Sequence, residues 1–125
     1  IIYPKLHYGR DALVGIALFL ALLVDKKCKV SKLKGQYSEY FMKKIKITLE
    51  DSNLIDRSFK VIAENYSELS PNTEDGVRID FEDAWVHMRK SNTEPIIRIF
   101  AEANSQDIAD SYALKIEKEI KSISA

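Results

Sequence analysis

The segment Arg89-Lys-Ser-Asn-Thr-Glu-Pro-Ile-Ile-Arg98 concentrates the side chains with the greatest capacity for chemistry. Guanidinium groups are planar, permanently charged and form paired hydrogen bonds to phosphate oxygens. Ser91 and Thr93 add hydroxyl donors, and Asn92 tolerates a left-handed backbone in which successive N–H groups converge on one anion. The segment therefore predicts a phosphate-binding site. The alternative is an ordinary polar hairpin tip between two solvated arginines.

Two predicted strands position this segment as the tip of a hairpin. A third strand over Ala84–Lys90 leads into it, and a fourth over Ile96–Ala103 leads out. Pro95 fixes the backbone at the exit of the turn. In one pairing register Arg89 and Arg98 share a face, whereas a shift of one residue would place them on opposite faces.

Periodicity predicts the remaining elements. A first helix begins after Gly9-Arg10-Asp11 and runs to about Lys27, and a short turn over 31–35 follows. The first strand contains Ile45, Ile47 and Leu49. The second contains Val77, Ile79 and Phe81 and ends in a tight turn at Glu82-Asp83. The predicted caps of the two later helices are Asp51, Ser52 or Asn53, and Asn104 or Ser105. Their predicted apolar positions are Leu54, Ile55, Phe59, Ile62, Ala63 and Tyr66, and Ile108, Tyr112, Leu114 or Lys115, Ile116 and Ile120.

The order of elements predicts an α+β domain preceded by one apolar helix. The β-α-β-β-β-α order is most simply packed as a four-stranded, mostly antiparallel sheet with two helices on one face. The other face of that sheet is then partly exposed. The predicted boundaries are an apolar helix within 1–30, a lysine-rich linker over 31–40 and the domain over 41–125.

Composition limits the classes of partner. The chain has 125 residues with a formal net charge of zero, so no global field recruits nucleic acid or an anionic membrane. One cysteine, Cys28, excludes an internal disulfide and a multi-cysteine zinc site, and is consistent with a cytoplasmic location. The apolar run over 12–24 has 13 residues, whereas a membrane span needs roughly 20. We interpret it as a buried helix.

The first helix leads us to expect that the chain is a fragment of a longer protein. It is apolar nearly all round, which is typical of a helix buried on several sides. The residues that follow do not suffice to bury it, and no initiator methionine precedes it. We expect the neighbours on its N-terminal side to be missing, and expect the helix to be able to drive an artificial dimer.

The stretch Arg89-Lys-Ser-Asn-Thr-Glu-Pro95, followed by Ile-Ile-Arg98, resembles the phosphate-binding loop of the α-D-phosphohexomutases. This family includes phosphoglucomutase, phosphomannomutase and phosphoglucosamine mutase, and its usual loop is Arg-x-Ser-Gly/Asn-Thr-Glu-Pro with a further arginine after it. Asn92 stands where many members have glycine. Residues from about 40 onward resemble the fourth domain, whose fold is similar to the TATA-box-binding-protein class. Residues 8–14, with the apolar helix, resemble the end of the third domain.

The resemblance implies a function for the parent and a narrower one for this chain. The parent would interconvert hexose 1-phosphate and 6-phosphate through a phosphoserine and a bisphosphate intermediate, with Mg²⁺ bound outside this chain. The remaining domains of the parent and the phosphate group of the hexose phosphate would be the partners. The chain alone would be inactive. The residues implied to hold the unreactive phosphate are Arg89, Ser91, Asn92, Thr93 and Arg98.

Other residues allow weaker interpretations. His87 could serve as an acid–base group or be a sheet histidine beside Trp85, and His7 could line the sugar site of the parent. Asp75, Asp80, Glu82 and Asp83 are better explained as solvated positions than as a metal site, since no His or Cys joins them. The rival function is a non-catalytic module that binds a protein or nucleic acid through the open sheet face, with Trp85, His87 and Phe100 exposed.

Overall fold

The computed structural model describes residues 1–48, 52–91 and 94–124. For residues 52 and 124 it describes the backbone alone. The chain divides into two compact units, Ile1–Ser38 and Glu39–Ala125. The predictions that concern Leu49, Asp51, Asn92 and Thr93 lie outside the described residues. No helix in the described ranges is both long and apolar enough to cross a membrane.

The first unit is built around the apolar helix α1, Ala12–Lys26, with a short helix α2, Val30–Lys34, after it. Asp11 caps α1, because its Oδ1 accepts a hydrogen bond from the Val14 N–H at 3.0 Å. That hydrogen bond, and a second contact of 3.0 Å from His7 Nε2, hold the pKa of Asp11 below its usual range. No residue of α1 is buried. The helix therefore carries apolar side chains that this unit leaves in solvent.

The second unit contains the sheet predicted from the sequence. Its strands are β1 (Phe41–Thr48), β2 (Val77–Asp80), β3 (Ala84–Lys90) and β4 (Ile96–Ala103). They pair antiparallel in the order β1-β4-β3-β2. The helices α3 (Ser52–Asn65) and α4 (Gln106–Ser124) pack on the sheet and on each other, and a 3₁₀ turn, Ser67–Leu69, follows α3. The predicted α+β class and β-α-β-β-β-α order are confirmed.

The core lies between one face of the sheet and the two helices. Alternate strand residues point into it, which is why the strands read as apolar at every second position. The fully buried side chains include Ile55 and Ile62 of α3 and Ile116 and Ile120 of α4. Ser58 is buried among them, and its hydroxyl donates to the Leu54 carbonyl at 2.7 Å. The packed helices leave the opposite face of the sheet open to solvent.

Several details differ from the sequence prediction. Phe81 lies beyond the end of β2, although it still packs on the helix side, stacked on Tyr112 with ring centroids 4.3 Å apart. Leu114 is not part of the core: it is 53% exposed, because Ala113 occupies the inward position between Ala109 and Ile116. The predicted cap of α4, Asn104 or Ser105, is confirmed as Ser105, since its hydroxyl accepts from the Ile108 N–H at 3.3 Å.

Candidate anion-binding site

The register of the β3–β4 hairpin places Arg89 directly opposite Arg98. Residues in such pairs have Cβ atoms roughly 4.5–5.5 Å apart and point to the same face. Ile97 and Ile99, the neighbours of Arg98 in β4, are buried against the helices. Both arginines therefore project from the open face, and each side chain is 46% exposed. Two permanent positive charges converge over one small area of the sheet.

A depression in the surface marks the place where these arginines meet. Its volume is about 250 Å³. The backbone N–H of Ser91 donates to the Ile96 carbonyl at 3.0 Å, which closes the hairpin just beyond β3 and keeps Ser91 beside the arginines. The residues that line the depression are Arg89, Lys90, Ser91, Arg98 and Phe100.

Two carboxylates stand loosely beside the arginines. Asp75 Oδ2 is 3.7 Å from Arg89 Nη2, and Glu94 Oε2 is 3.9 Å from Arg98 Nη2. The side chain of Asp75 is 72% exposed and that of Glu94 is 52% exposed. Exposed pairs of this length stabilise a protein by about 0–1 kcal/mol. A phosphate dianion that accepts shorter, paired hydrogen bonds can therefore compete with both carboxylates.

The loop that carries Asp75 is held tightly against β3. His87 Nε2 lies 2.6 Å from the Asp75 carbonyl, so this ring nitrogen donates the hydrogen bond. Gly76 has a φ of +82°, and a Cβ atom there would lie 2.0 Å from the Met88 carbonyl oxygen. Glycine is thus required for the approach of the loop. These contacts fix the position of Asp75 next to Arg89, and they give His87 a structural partner.

The aromatic end of the open face is occupied by internal contacts. Trp85 Nε1 donates to Glu102 at 3.0 Å, and the Arg78 guanidinium lies 4.6 Å from the centroid of the Trp85 ring. Arg78 also makes a paired contact with Asp80 at 2.7–3.0 Å, and this hydrogen bond raises the pKa of the Arg78 guanidinium. Trp85 is half-buried as a result. The surface around Trp85 is therefore less available to a binding partner than an exposed aromatic patch would be.

Lys46 is the member of this face that sequence reasoning missed. It lies on β1 directly opposite Arg98, and Lys44 lies opposite Phe100. The alternation of lysine with isoleucine over residues 44–47 showed that the lysines shared one face of β1. Only the strand order, which inserts β4 between β1 and β3, shows that this face is the one that carries the arginines.

The structure thus brings together Arg89, Ser91 and Arg98 of the predicted phosphate-binding residues, and Asn92 and Thr93 lie outside the described residues. His7 lies in the first unit, in contact with Asp11. Within the described ranges, no group of three or more His, Cys, Asp or Glu side chains is arranged to hold a metal ion.

Comparison with known proteins identifies the family. Residues 27–119 match the sequence model of the phosphoglucomutase/phosphomannomutase C-terminal domain. The chain belongs to this family. Among similar proteins, a phosphoglucosamine/phosphogalactosamine mutase of Sulfurisphaera tokodaii is 36% identical over 118 residues, which is 93% of this chain and 26% of that protein. A phosphoglucomutase/phosphomannomutase of Thermococcus kodakarensis is also 36% identical over 118 residues, covering 90% of this chain and 25% of its own.

Solved structures of related enzymes share the fold of this phosphoglucomutase/phosphomannomutase C-terminal domain. The Aspergillus fumigatus N-acetylphosphoglucosamine mutase, in complex with GlcNAc-6P and magnesium, superposes with a TM-score of 0.59 at 17% identity, over 92% of this chain and 22% of its own. A serine-to-alanine variant of that enzyme, in complex with glucose 1,6-bisphosphate, gives a TM-score of 0.62 at 15% identity, over 95% and 22% of the two chains. The chain spans about a quarter of the length of the curated relatives.

Proposed function

We propose that this chain is the phosphate-recognition domain of a longer phosphohexomutase that interconverts hexose 1-phosphate and hexose 6-phosphate. The observation that carries the proposal is the pairing of Arg89 with Arg98 on the open face, beside the hairpin tip, in a member of this family. The names of the relatives support the reaction class. Ser91, Asn92 and Thr93 complete the proposed set of phosphate-binding residues.

The proposed role is to position the substrate. The proposed reaction moves a phosphoryl group between two carbons of one sugar. While the phosphate on one carbon reacts, the phosphate on the other carbon must be held in place. Arg89 and Arg98 bind a dianion through charge and paired hydrogen bonds, so they can hold the phosphate whichever carbon bears it. Holding the reacting atoms in the right geometry supplies a large part of the rate acceleration in phosphoryl transfer. The domain contributes orientation, and the bonds are made elsewhere.

The nucleophile and the metal belong to other parts of the proposed enzyme. Mg²⁺ would neutralise charge on the transferring phosphoryl group when bound. The described residues offer no cluster of metal ligands, which supports the proposal that the ion is held by another part of the enzyme. We expect the chain alone to have no mutase activity. Detectable turnover by the 125-residue chain would contradict this expectation.

The proposal also assigns the first unit. We infer that residues 1–30 are the last helix of a preceding third domain and that residues 31–40 are the linker. The exposed apolar side chains of α1 support this, because such a helix is stable in water only when another apolar surface covers it. The reaction class also favours a cytoplasmic enzyme.

The test is a mutase assay on the full-length polypeptide that contains this chain. The 1-phosphates of glucose, mannose and glucosamine are offered with magnesium and a trace of hexose bisphosphate, and 6-phosphate is measured. We expect conversion of at least one sugar. Arg89→Ala should lower kcat/KM by roughly 100-fold or more, because it removes charged hydrogen bonds to the phosphate. Arg57→Ala, an exposed arginine of α3 outside the depression, is the matched control and should leave kcat/KM unchanged.

Two results would contradict the proposal. If the well-folded full-length protein converted none of the three sugar 1-phosphates, the proposed reaction would be contradicted. Equal activity of Arg89→Ala and Arg57→Ala would show that the arginine pair has no part in it. If a protein or nucleic acid instead perturbs Trp85, His87 and Phe100 and binds equally well to Arg89→Ala, the chain is an interaction module.

A further inference from the structure

Three positive charges lie side by side on one rung of the open sheet face. Lys46 of β1 pairs with Arg98 of β4, and Arg98 pairs with Arg89 of β3. Neighbouring strands are about 4.8 Å apart, so the row crosses about 10 Å of the sheet. All three residues are exposed. We call them the cation row.

The cation row is unfavourable for the folded domain by itself. Like charges directly opposite each other on a sheet destabilise it. Arg89 and Arg98 each have one loose carboxylate neighbour, at 3.7 and 3.9 Å. Lys46 has no carboxylate within ion-pair distance among the residues that the structure describes. By contrast Lys43, which points to the helix side of the same strand, lies 3.4 Å from Asp110. Among the described residues, the lysine on the helix side of β1 has a carboxylate partner, whereas Lys46 on the open face has none.

A second depression joins Lys46 to the site. It has a volume of about 360 Å³ and is lined by Lys44, Ile45, Lys46, Arg98, Ile99 and Phe100. Arg98 and Phe100 also line the depression beside Arg89. The two depressions are therefore neighbours that share Arg98 and Phe100 in their walls. An anion seated over Arg98 lies within reach of the flexible side chain of Lys46 on one side and of Arg89 on the other.

We propose that Lys46 is a further phosphate-binding residue, the third cation of the site, and that its ligand is the dianionic phosphate of a phosphorylated sugar. The inference rests on the proposed function of the arginine pair and extends the site across β4 to the edge strand. A lysine suits this position because its ammonium is a compact charge on a mobile stem, whereas the guanidinium groups fix the geometry. The bound phosphate then offsets the repulsion among the three cations, which is present in the unliganded domain.

The inference makes two linked predictions for Lys46→Gln, which keeps most of the side chain and removes the charge. In chloride the variant should melt about 1–3 °C higher than the wild type, because one like-charge pair is gone. Its affinity for inorganic phosphate should fall roughly five-fold, because one charged contact to the ligand is gone. A lysine that was merely solvated would change neither quantity.

The experiment measures melting temperature and phosphate binding by calorimetry, at matched ionic strength in chloride and in phosphate. Lys46→Arg should have a phosphate affinity within about two-fold of the wild type, since it keeps the charge that Lys46→Gln removes. Lys118→Gln removes an exposed lysine from α4, on the helix side of the domain, and is the matched control. It should leave the affinity unchanged. Arg98→Ala tests the proposed function in the same series.

Each outcome separates the two proposals. Loss of phosphate affinity in both Arg98→Ala and Lys46→Gln supports both. Loss in Arg98→Ala with unchanged affinity in Lys46→Gln overturns the role of Lys46 and leaves the arginine pair intact. Loss in Lys46→Gln alone would overturn the role of the arginine pair, and with it the shared site on which the inference rests. Equal effects of Lys46→Gln and Lys118→Gln would show that only net charge matters, and would overturn the inference.

Discussion

Gly76 offers a sharp test of how the loop beside the candidate anion-binding site is held. Its φ of +82° is a conformation that a side chain disfavours. A Cβ atom built there would lie 2.0 Å from the Met88 carbonyl oxygen and 3.0 Å from the Cα of Arg89. Both neighbours are backbone atoms of β3, so neither can rotate away. Gly76→Ala must therefore shift the loop or the strand.

The cost follows from two terms. A left-handed backbone costs a residue with a Cβ about 1–2 kcal/mol. Forcing an extra methyl group into a tightly packed place costs about 1–3 kcal/mol more. We expect Gly76→Ala to lower the free energy of unfolding by about 2–5 kcal/mol, a large part of the 5–15 kcal/mol that is typical of a domain. For a domain of this size the melting temperature should fall by roughly 10 °C or more.

Urea unfolding followed by tryptophan fluorescence measures this cost directly. Trp85 is the only tryptophan of the chain and lies on β3, so it reports on the sheet. Gly35→Ala is the matched control: the φ of Gly35 is −68°, and the nearest atoms to a Cβ there are 3.7 Å away. The control should be neutral or slightly stabilising. A loss below 1 kcal/mol in Gly76→Ala, or an equal loss in both variants, would refute the reasoning.

Two further predictions concern Asp75 and Tyr66. Asp75→Asn removes the carboxylate 3.7 Å from Arg89 and keeps the backbone carbonyl that His87 contacts. Calorimetry should show phosphate binding about two-fold tighter, since an exposed ion pair contributes only tenths of a kcal/mol. Weaker binding would show that Asp75 organises the site. Burial, and then the hydrogen bond of 2.8 Å to Glu119, raise the pKa of Tyr66 above its ordinary value near 10. The unfolded chain therefore releases this proton first, and the stabilisation is present below pH 10 and lost above it. The stability advantage of the wild type over Tyr66→Phe in urea should shrink between pH 9 and pH 11, and a constant advantage would contradict the assignment.

The strands were predictable because their alternation is strong. Ile45 and Ile47 alternate with lysines, and Val77 and Ile79 alternate with Arg78 and Asp80, so each strand shows which face is buried. Strand ends were less certain. Phe81 keeps the alternation after the hydrogen-bonded ladder has ended, because its ring packs against the rings of Tyr66 and Tyr112. Leu114 was misplaced because a small inward residue, Ala113, carries little hydrophobic signal.

The proposed site was predictable in part. The local motif pointed to Arg89, Ser91 and Arg98, but a shift of one residue in the hairpin would have separated the two arginines. The register that puts them on one face is a property of the whole sheet. Lys46 could not be assigned from sequence, because its place beside Arg98 depends on the pairing of β1 with β4 across about 50 residues of chain. Long-range pairing of this kind leaves no local pattern.

The central claim is that the open face around Arg89 and Arg98 binds the phosphate of a sugar. The most direct measurement is a two-dimensional ¹⁵N NMR titration of the chain with glucose 6-phosphate, with glucose as the control and Arg98→Ala as the matched variant. We predict chemical-shift changes centred on Arg89, Ser91 and Arg98, no such changes with glucose, and their loss in Arg98→Ala. Shift changes confined to other surfaces, or the same changes in Arg98→Ala, would contradict the account.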